Sequence, residues 1–190
     1  MNNSEIKKNL RKKIRKIRES LSFEEKENLS DEIIKKFLSD DILKNSKTIM
    51  SYMAFKNEVE TEKLHKYLLE LGKTILLPKM VGDSIIPIKI SESFSCGDFG
   101  VIEPIGDEFL ENIDLIIVPG VVFNRMGDRI GFGKGFYDRF LSCEKYKSSH
   151  KISLAYDFQV DNDFSGEKFD IKIDKLITEK EILIFQPLDK

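Results

Sequence analysis

The first forty residues repeat apolar positions with the period of an α-helix. Over residues 4–21 the apolar side chains recur every three or four positions. They are Ile6, Leu10, Ile14, Ile17 and Leu21. This spacing places them on one stripe of a helix, whose other faces are basic. Ser22 followed by Glu25 fits a capping box and predicts a second helix over residues 23–39.

Beyond residue 46 the pattern changes to short apolar runs of strand length. Predicted strands cover residues 47–55, 73–78, 84–90, 114–120 and 151–156, and residues 175–187 are expected to hold two more. Residues 60–72 have helical periodicity and end at Gly72, a suitable left-handed C-cap. Pro87 favours an edge position for its strand, whereas the run DLIIVPG is typical of a strand buried on both faces. Residues 96–104 are expected to form a loop.

Strands that alternate with helices predict an α/β protein. We expect three layers, α/β/α, around a largely parallel, mixed, Rossmann-like sheet. No repeat, low-complexity tract or linker interrupts the chain, so residues 1–190 are expected to form a single domain. Ligands of such sheets bind beyond the carboxyl ends of the strands. The segment VPGVVFNRMGDRIGFGKG, residues 118–135, follows the strongest predicted strand and occupies this position.

Composition excludes several classes of protein. Of 190 residues, 41% are hydrophobic and 34% charged, and the formal net charge is -2, which is typical of a globular protein and not of a polycation that binds nucleic acid. Two cysteines, Cys96 and Cys143, and two histidines argue against a zinc site or a disulfide framework. The N-terminus lacks the apolar core of a secretory signal, and no apolar run is long enough to span a bilayer. We expect a cytoplasmic monomer with no membrane or nucleic-acid partner.

The sequence RIGFGKGFYDRF, residues 129–140, is the strongest local candidate for chemistry. Its glycines alternate at positions 131, 133 and 135, and glycine lets backbone N–H groups approach an anion closely. Arg129 and Lys134 add fixed positive charge, and a helix that begins at Gly135 would add its dipole. Asp138 follows one turn later, where a carboxylate can hold Mg²⁺ bound to the same phosphates. The stretch matches neither a P-loop nor a dinucleotide fingerprint, so a glycine-rich turn with core aromatics stays open.

The longer run DLIIVPGVVFNRMGDRIGFGKGFYDRFL, residues 114–141, resembles the 5-formyltetrahydrofolate cyclo-ligase family. Members carry a segment like DLxxVPGxxFDxxGxRLGxGxGYYDRxL. Three other stretches also agree with family motifs in the same order. These are KKNLRKKIR at 7–15, NEVET at 57–61 and FDIKIDKLITE at 169–179. The similarity therefore extends over essentially the whole chain.

The resemblance implies a particular reaction. ATP and Mg²⁺ would drive the cyclisation of 5-formyltetrahydrofolate to 5,10-methenyltetrahydrofolate, with release of ADP and phosphate. ATP would phosphorylate the formyl oxygen to give an N5-iminium phosphate, the N10 amine would attack that carbon, and phosphate would leave as the ring closes. Such chemistry needs positioning and charge neutralisation more than a protein nucleophile.

The resemblance also implies site residues. ATP-binding positions are Lys7, Arg11, Arg129, Ile130, Gly131, Phe132, Gly133, Lys134, Gly135, Phe136 and Tyr137. Folate-binding positions are Met53, Glu58, Phe132, Gly133, Lys134, Gly135 and Phe136. Lys134 is expected to brace the transferred phosphoryl group, with Arg129 as the second catalytic cation. Asp138 and Asp170 correspond to the Mg²⁺ positions, and Asp174 competes with Asp170 for the second of them.

The chain departs from the family pattern at four positions. Asn124 replaces a common Asp, Phe132 and Phe136 replace usual tyrosines, and Phe169 stands where His is frequent. Because phenylalanine keeps the stacking surface and loses only the hydroxyl, we expect altered affinity and retained activity.

Two other functions compete with this interpretation. The first helix carries eight cations, and most of them are expected on a solvated face, with Lys7 and Arg11 as exceptions. Residues 7–18 would instead be the footprint of a module that binds RNA or another polyanion, although aromatic side chains for base stacking are absent there. The glycine loop alone would also suit another α/β enzyme that uses ATP or a sugar phosphate.

Overall fold

In the computed structural model, which describes residues 2–91, 93–97 and 102–185, two helices form the N-terminal segment, as predicted. Helix α1 spans Asn3–Ser20 and helix α2 spans Phe23–Leu38. A capping box closes the start of each helix, and the predicted pair Ser22 and Glu25 forms the second of them. Three shorter helices follow. They are α3 (Asp41–Asn45), α4 (Glu62–Glu70) and α5 (Phe136–Leu141).

The described residues form one large sheet and two small hairpins. The strands are β1 (Thr48–Met50), β2 (Thr74–Val81), β3 (Ser84–Lys89), β4 (Phe94–Cys96), β5 (Ile102–Pro104), β6 (Leu115–Ile117), β7 (Val122–Phe123), β8 (Arg129–Ile130), β9 (His150–Leu154), β10 (Lys175–Ile177) and β11 (Ile182–Ile184). The large sheet has the order β11-β10-β9-β6-β1-β2-β3. Its five inner strands are parallel, and the edge strands β11 and β3 are antiparallel to their neighbours. Pro87 lies in β3, on the predicted edge.

Helices cover both faces of this sheet. Successive side chains of β1 point to opposite sides, so Ile49 packs with α2, α3 and α4, whereas Met50 packs with α5. The strand β6 is buried at all three residues, as its continuous apolar run predicts. The predicted α/β fold with a mixed, mostly parallel sheet is confirmed.

Two hairpins were missed by the sequence pattern. Residues 96–104 were predicted as a loop, but β4 and β5 pair antiparallel, and residues 98–101 lie outside the described part. A tertiary contact holds β5 against β2: the carboxylate of Glu103 on β5 accepts a hydrogen bond from the backbone N–H of Met80 on β2 at 3.1 Å. The second hairpin, β7 with β8, follows β6 directly.

This second hairpin positions α1 beside the carboxyl ends of the parallel strands. Leu10 and Ile14 of α1 pack with Val122 of β7 and Ile130 of β8 in a small apolar cluster. The loops after β1 and β6 leave the sheet at the same edge, since both strands are parallel. Among the described helices, none combines the length and apolarity needed to cross a bilayer.

Candidate active site

A cavity of about 840 Å³ lies where α1 meets the loops that follow β1 and β6. Every site residue predicted from the sequence lines it, except Asp174, the alternative to Asp170. They are Lys7, Arg11, Met53, Glu58, residues 129–137, Asp138 and Asp170. The fold thus brings together residues from the first helix, the loop after β1, the glycine stretch and the C-terminal quarter of the chain. The shared position of these residues does not test the individual role of each, and those roles stay predictions.

The glycine loop of residues 131–135 connects β8 to α5. Gly133 and Gly135 have φ values of +100° and +68°, a region that side chains with a Cβ rarely adopt. The guanidinium of Arg139 donates to the carbonyl of Lys134 at 3.0 Å and also to the carbonyl of Asp83, so the loop is tied to the β2–β3 turn. The predicted helix after Gly135 is confirmed, but with six residues it contributes little dipole. The positive potential of the loop therefore depends mainly on backbone N–H groups and on the exposed Lys134.

One face of α1 follows the length of the cavity. Lys7, Arg11, Arg15 and Arg18 are spaced four, four and three residues apart, and all of them line it. The Nε atom of Arg11 donates to the carbonyl oxygen of Gly131 at 2.8 Å, and the guanidinium of Arg15 lies 5.3 Å from the ring centroid of Phe132. At 1.5 Å per residue, Lys7 and Arg18 are about 16 Å apart along the helix axis.

The expectation that only Lys7 and Arg11 leave the solvated face of α1 is wrong for two further cations. Arg15 and Arg18 also line the cavity because the apolar stripe of α1 packs on the β7–β8 hairpin, which turns the neighbouring cationic face toward the cavity. The signal was present in the sequence, since the spacing that joins Lys7 to Arg11 continues to both residues. Four of the eight cations thus line the cavity and are not on the exposed face of the helix. This weakens the alternative that residues 7–18 form a surface for RNA or another polyanion.

Asp138 is fixed at one end of the cavity by a buried cation. Its Oδ1 atom accepts hydrogen bonds from Arg129 Nη2 at 2.9 Å and from the backbone N–H of Ile171 at 3.0 Å. No hydrogen bond to the other oxygen, Oδ2, comes from the described part of the chain. Arg129 is buried, and burial lowers its pKa, while the neighbouring carboxylate opposes that effect. The pair leaves one carboxylate oxygen available to a ligand.

Asp170 is bound to α1 at the same end. Its Oδ2 atom accepts from Lys7 Nζ at 3.0 Å and from the backbone N–H of Glu167 at 2.9 Å. Burial lowers the pKa of Lys7, but the hydrogen bonds to Glu167 and Asp170 outweigh burial and raise it. Asp174, the competing carboxylate, instead accepts from the backbone of Lys151 on β9 and does not line the cavity.

The donor set at this end suits Mg²⁺ that is shared with a phosphate group. Mg²⁺ prefers oxygen ligands and is usually held by one or two carboxylates together with substrate phosphates and water. Asp138 and Asp170 offer two such carboxylates. Within residues 2–91, 93–97 and 102–185, no cluster of three or more His, Cys, Asp or Glu side chains forms a metal cage by itself.

Glu58 lies buried at the other end of the cavity. Its Oε2 atom accepts from the backbone N–H of Phe55 at 3.1 Å, and its Oε1 atom is 3.8 Å from Arg18 Nη1. Burial raises the pKa of Glu58 to about 7, although the charge of Arg18 opposes the shift. The hydroxyl of Tyr137 is also buried, and burial raises the pKa of Tyr137 well above its usual value. Met53 adds a half-buried apolar surface nearby.

The departures from the family pattern have structural partners. Phe136 lies under the guanidinium of Arg139 at 5.2 Å, and Phe132 stacks with Arg15 as described above. The amide of Asn124 donates to Asp128 Oδ2 at 3.0 Å and to the carbonyl of Phe164 at 3.2 Å. Asn124 therefore stabilises the loop between β7 and β8, where a carboxylate could not donate.

Comparison with known proteins agrees with the motifs. The sequence model of the 5-formyltetrahydrofolate cyclo-ligase family matches residues 3–179. The solved 5,10-methenyltetrahydrofolate synthetase of Aquifex aeolicus is similar, with 36% identity and a TM-score of 0.84 over 96% of this chain and 94% of that one. A cyclo-ligase of Mycoplasma pneumoniae is 32% identical over 173 residues, which are 90% of this chain and 97% of the relative. A probable cyclo-ligase of Caenorhabditis elegans is 26% identical over 97% of this chain and 98% of its own. The chain therefore belongs to the 5-formyltetrahydrofolate cyclo-ligase family, a family of ligases.

Proposed function

We propose that this protein uses ATP and Mg²⁺ to cyclise 5-formyltetrahydrofolate to 5,10-methenyltetrahydrofolate, with release of ADP and phosphate. The observation that carries the proposal is a single cavity with two chemically different ends. One end combines the glycine loop, Lys134 and two carboxylates, and the other holds the buried Glu58 beside apolar and aromatic side chains. Residues from both halves of the chain line it, in keeping with one domain over residues 1–190.

The nucleotide phosphates would bind at the glycine loop. Gly133 and Gly135 carry no side chain that would cover the backbone N–H groups, and the exposed Lys134 would brace the transferred phosphoryl group. Lys7 and Arg11 would approach from α1, since their face borders the same space. Residues 129–137 would enclose the phosphates as a unit.

Asp138 and Asp170 would hold Mg²⁺ through their remaining oxygens. When bound, the ion would neutralise charge on the phosphates during transfer. Arg129 would act mainly by holding Asp138 in place, because its Nη2 atom is committed to that carboxylate. Lys7 would do the same for Asp170.

The folate would bind toward Glu58, with its formyl oxygen close to Lys134. Phe132, Phe136 and Met53 offer apolar surface to a flat pterin ring, and Glu58 offers an acceptor to its polar edge. Transfer of the phosphoryl group to the formyl oxygen would give the N5-iminium phosphate. The N10 amine would then form the new C–N bond and release its proton to water or to the phosphate, and the C–O bond to phosphate would break. The chain would supply position and charge, since the substrate carries its own nucleophile.

A direct assay tests the proposal. Purified protein with ATP, Mg²⁺ and 5-formyltetrahydrofolate is expected to produce the absorbance of the methenyl product, and omission of ATP is expected to abolish it. Turnover of sugar phosphates or other phosphate acceptors, with 5-formyltetrahydrofolate left unchanged, would refute the proposed activity and favour a different ATP-using enzyme.

A further inference from the structure

Buried polar atoms without a protein partner cluster at the Glu58 end of the cavity. Among the described residues they include Nε and Nη1 of Arg18, Oε1 of Glu58 and the hydroxyl of Tyr137. The 3.8 Å between Arg18 Nη1 and Glu58 Oε1 is too long for a hydrogen bond. A buried polar atom left unpaired is destabilising, because it has lost its hydrogen bonds to water without gaining others. Such a concentration of donors and an acceptor along one cavity wall indicates a surface that a ligand completes.

Arg18 also holds the backbone that presents Glu58. Lys56 and Asn57 have φ values of +48° and +57°, the left-handed region that is unfavourable for residues with a side chain. The Nη2 atom of Arg18 donates to the carbonyl of Lys56 at 2.8 Å, and the amide of Asn57 donates to the carbonyl of Arg18 at 2.9 Å. Strain of this kind persists where neighbouring contacts fix it, and it is frequent at binding sites.

The charge balance at this end favours a neutral polar ligand group over phosphate. With Glu58 ionised, it and Arg18 form a pair with no net charge, so this end of the cavity offers no excess positive charge to a phosphate group. Arg11, which borders the glycine loop, is seven residues away, or about 10 Å along the helix axis. A group with an N–H beside a C=O matches the pair, because the carboxylate accepts and the guanidinium donates.

The reduced pterin ring of 5-formyltetrahydrofolate carries such an edge, with the N3–H adjacent to the 4-oxo oxygen. We propose that Arg18 is a specificity-determining residue that donates to the 4-oxo oxygen while Glu58 accepts from the neighbouring N–H. The proposal rests on the proposed function, since it takes 5-formyltetrahydrofolate as the ligand. A 4-amino analogue places a donor where Arg18 requires an acceptor, so the site is expected to reject it.

The test compares two ligands in calorimetric titrations of the wild-type protein and the Arg18→Met variant. The ligands are 5-formyltetrahydrofolate and its 4-amino analogue with the same formyl and glutamyl groups. Loss of one charge-assisted hydrogen bond is expected to weaken binding of the 4-oxo ligand about 10- to 100-fold. Binding of the 4-amino analogue is expected to change by less than about threefold, because Arg18 makes no favourable bond to it. Equal weakening for both ligands would reduce Arg18 to a structural role and overturn the proposal.

Two controls keep the result unambiguous. Lys16→Met removes an exposed cation of the same helix that does not line the cavity, and it is expected to leave the ratio of the two affinities unchanged. If Arg18→Met alone does not fold, the same substitution is compared within a Glu58→Gln background, where no carboxylate is left unpaired, and the same loss of discrimination is expected. Wild-type protein that binds neither ligand would refute the proposed function together with this inference, whereas normal binding with an unchanged ratio would refute the inference alone.

Discussion

The guanidinium of Arg129 donates to Asp138 Oδ1 at 2.9 Å and joins β8 to the first turn of α5 beneath the glycine loop. The Arg129 side chain is only 3% exposed, whereas that of Asp138 is 24% exposed. The cation is thus sealed in the protein while the carboxylate still reaches the cavity. Such a pair fixes one carboxylate oxygen and leaves the other for a ligand.

Replacement of Asp138 by Asn tests this division of roles. The Asn oxygen can still accept from Arg129 and from the N–H of Ile171, so the local geometry is expected to survive, but the negative charge is lost. We expect the Mg²⁺ concentration for half-maximal turnover to rise about tenfold or more, since a charged ligand to the ion is replaced by a neutral one. The measurement is a Mg²⁺ titration of the cyclisation rate at saturating ATP.

Asp31→Asn is the matched control for this variant. Asp31 lies on α2 in an exposed ion pair with Lys63, outside the cavity, and its loss is expected to leave the titration unaltered. If Asp138→Asn also titrates like the wild-type protein, Asp138 does not bind the ion.

Replacement of Lys134 by Ala is expected to lower catalytic activity without a large change in the stability of the fold. The ammonium group of Lys134 is exposed on the glycine loop, so Lys134→Ala is expected to change the free energy of unfolding by no more than about 0.5 kcal/mol. Loss of a cation that stabilises the transferred phosphoryl group is expected to lower kcat about 100-fold or more. Steady-state kinetics together with urea unfolding measure both quantities. Lys12→Ala, which removes an exposed cation of α1 outside the cavity, is expected to keep normal kcat, and a Lys134→Ala enzyme with near-normal kcat would exclude the phosphate role.

Local sequence signals predicted the elements that are long or stopped by specific residues. Helices α1 and α2 follow from their apolar stripes, and β6 follows from a continuous apolar run closed by Pro119 and Gly120. The glycine loop was equally visible because its residues are contiguous in the chain. The candidate site could be assembled only in part, since Glu58 and Asp170 come from distant segments and were found through family motifs.

What the sequence missed depends on tertiary contacts. The hairpin of β7 with β8 has two residues per strand, too few for a periodic signal. The spacing from Lys7 places Arg15 and Arg18 on the same face of α1 as Arg11, but only the packing of α1 on that hairpin turns this face toward the cavity. The Arg18–Glu58 pair joins α1 to the loop after β1 and is likewise invisible to local pattern.

The buried Glu58 predicts a pH dependence of stability. Burial raises its pKa from 4.5 to about 7, so between these pH values the native protein holds a proton that the unfolded chain has released. Because the native state binds more protons than the unfolded state in this range, the free energy of unfolding falls as the pH rises. The total change is on the order of 3 kcal/mol. Glu58→Gln removes the titrating group, so the wild-type minus variant difference in unfolding free energy is expected to fall from pH 4.5 to 7 and to be level outside that range.

Urea unfolding at several pH values measures this difference. The buried His65, whose pKa burial lowers to about 4, contributes an opposite trend, because stability is lost as pH falls from 6.5 toward 4. That trend is present in both proteins and cancels in the difference. A difference that stays constant between pH 4.5 and 7 would show that Glu58 keeps an ordinary pKa in the native state.

Replacement of Asn124 by Asp, which is common at this position of the family pattern, is expected to lower the stability of the protein. The Asn124 amide is buried and donates to Asp128 Oδ2 and to the carbonyl of Phe164, while its own oxygen accepts from the backbone N–H of Asp128 at 2.9 Å. In Asn124→Asp both donated bonds are lost and two carboxylates face each other at about hydrogen-bond distance, so we expect the protein to lose about 2–3 kcal/mol of stability at pH 7. Urea unfolding gives this value, and the loss is expected to shrink at acidic pH as one carboxylate takes up a proton. The double variant Asn124→Asp, Asp128→Asn exchanges donor and acceptor and is expected to regain part of the lost stability. If Asn124→Asp alone is as stable as the wild-type protein, the hydrogen bonds donated by the Asn124 amide contribute nothing to stability.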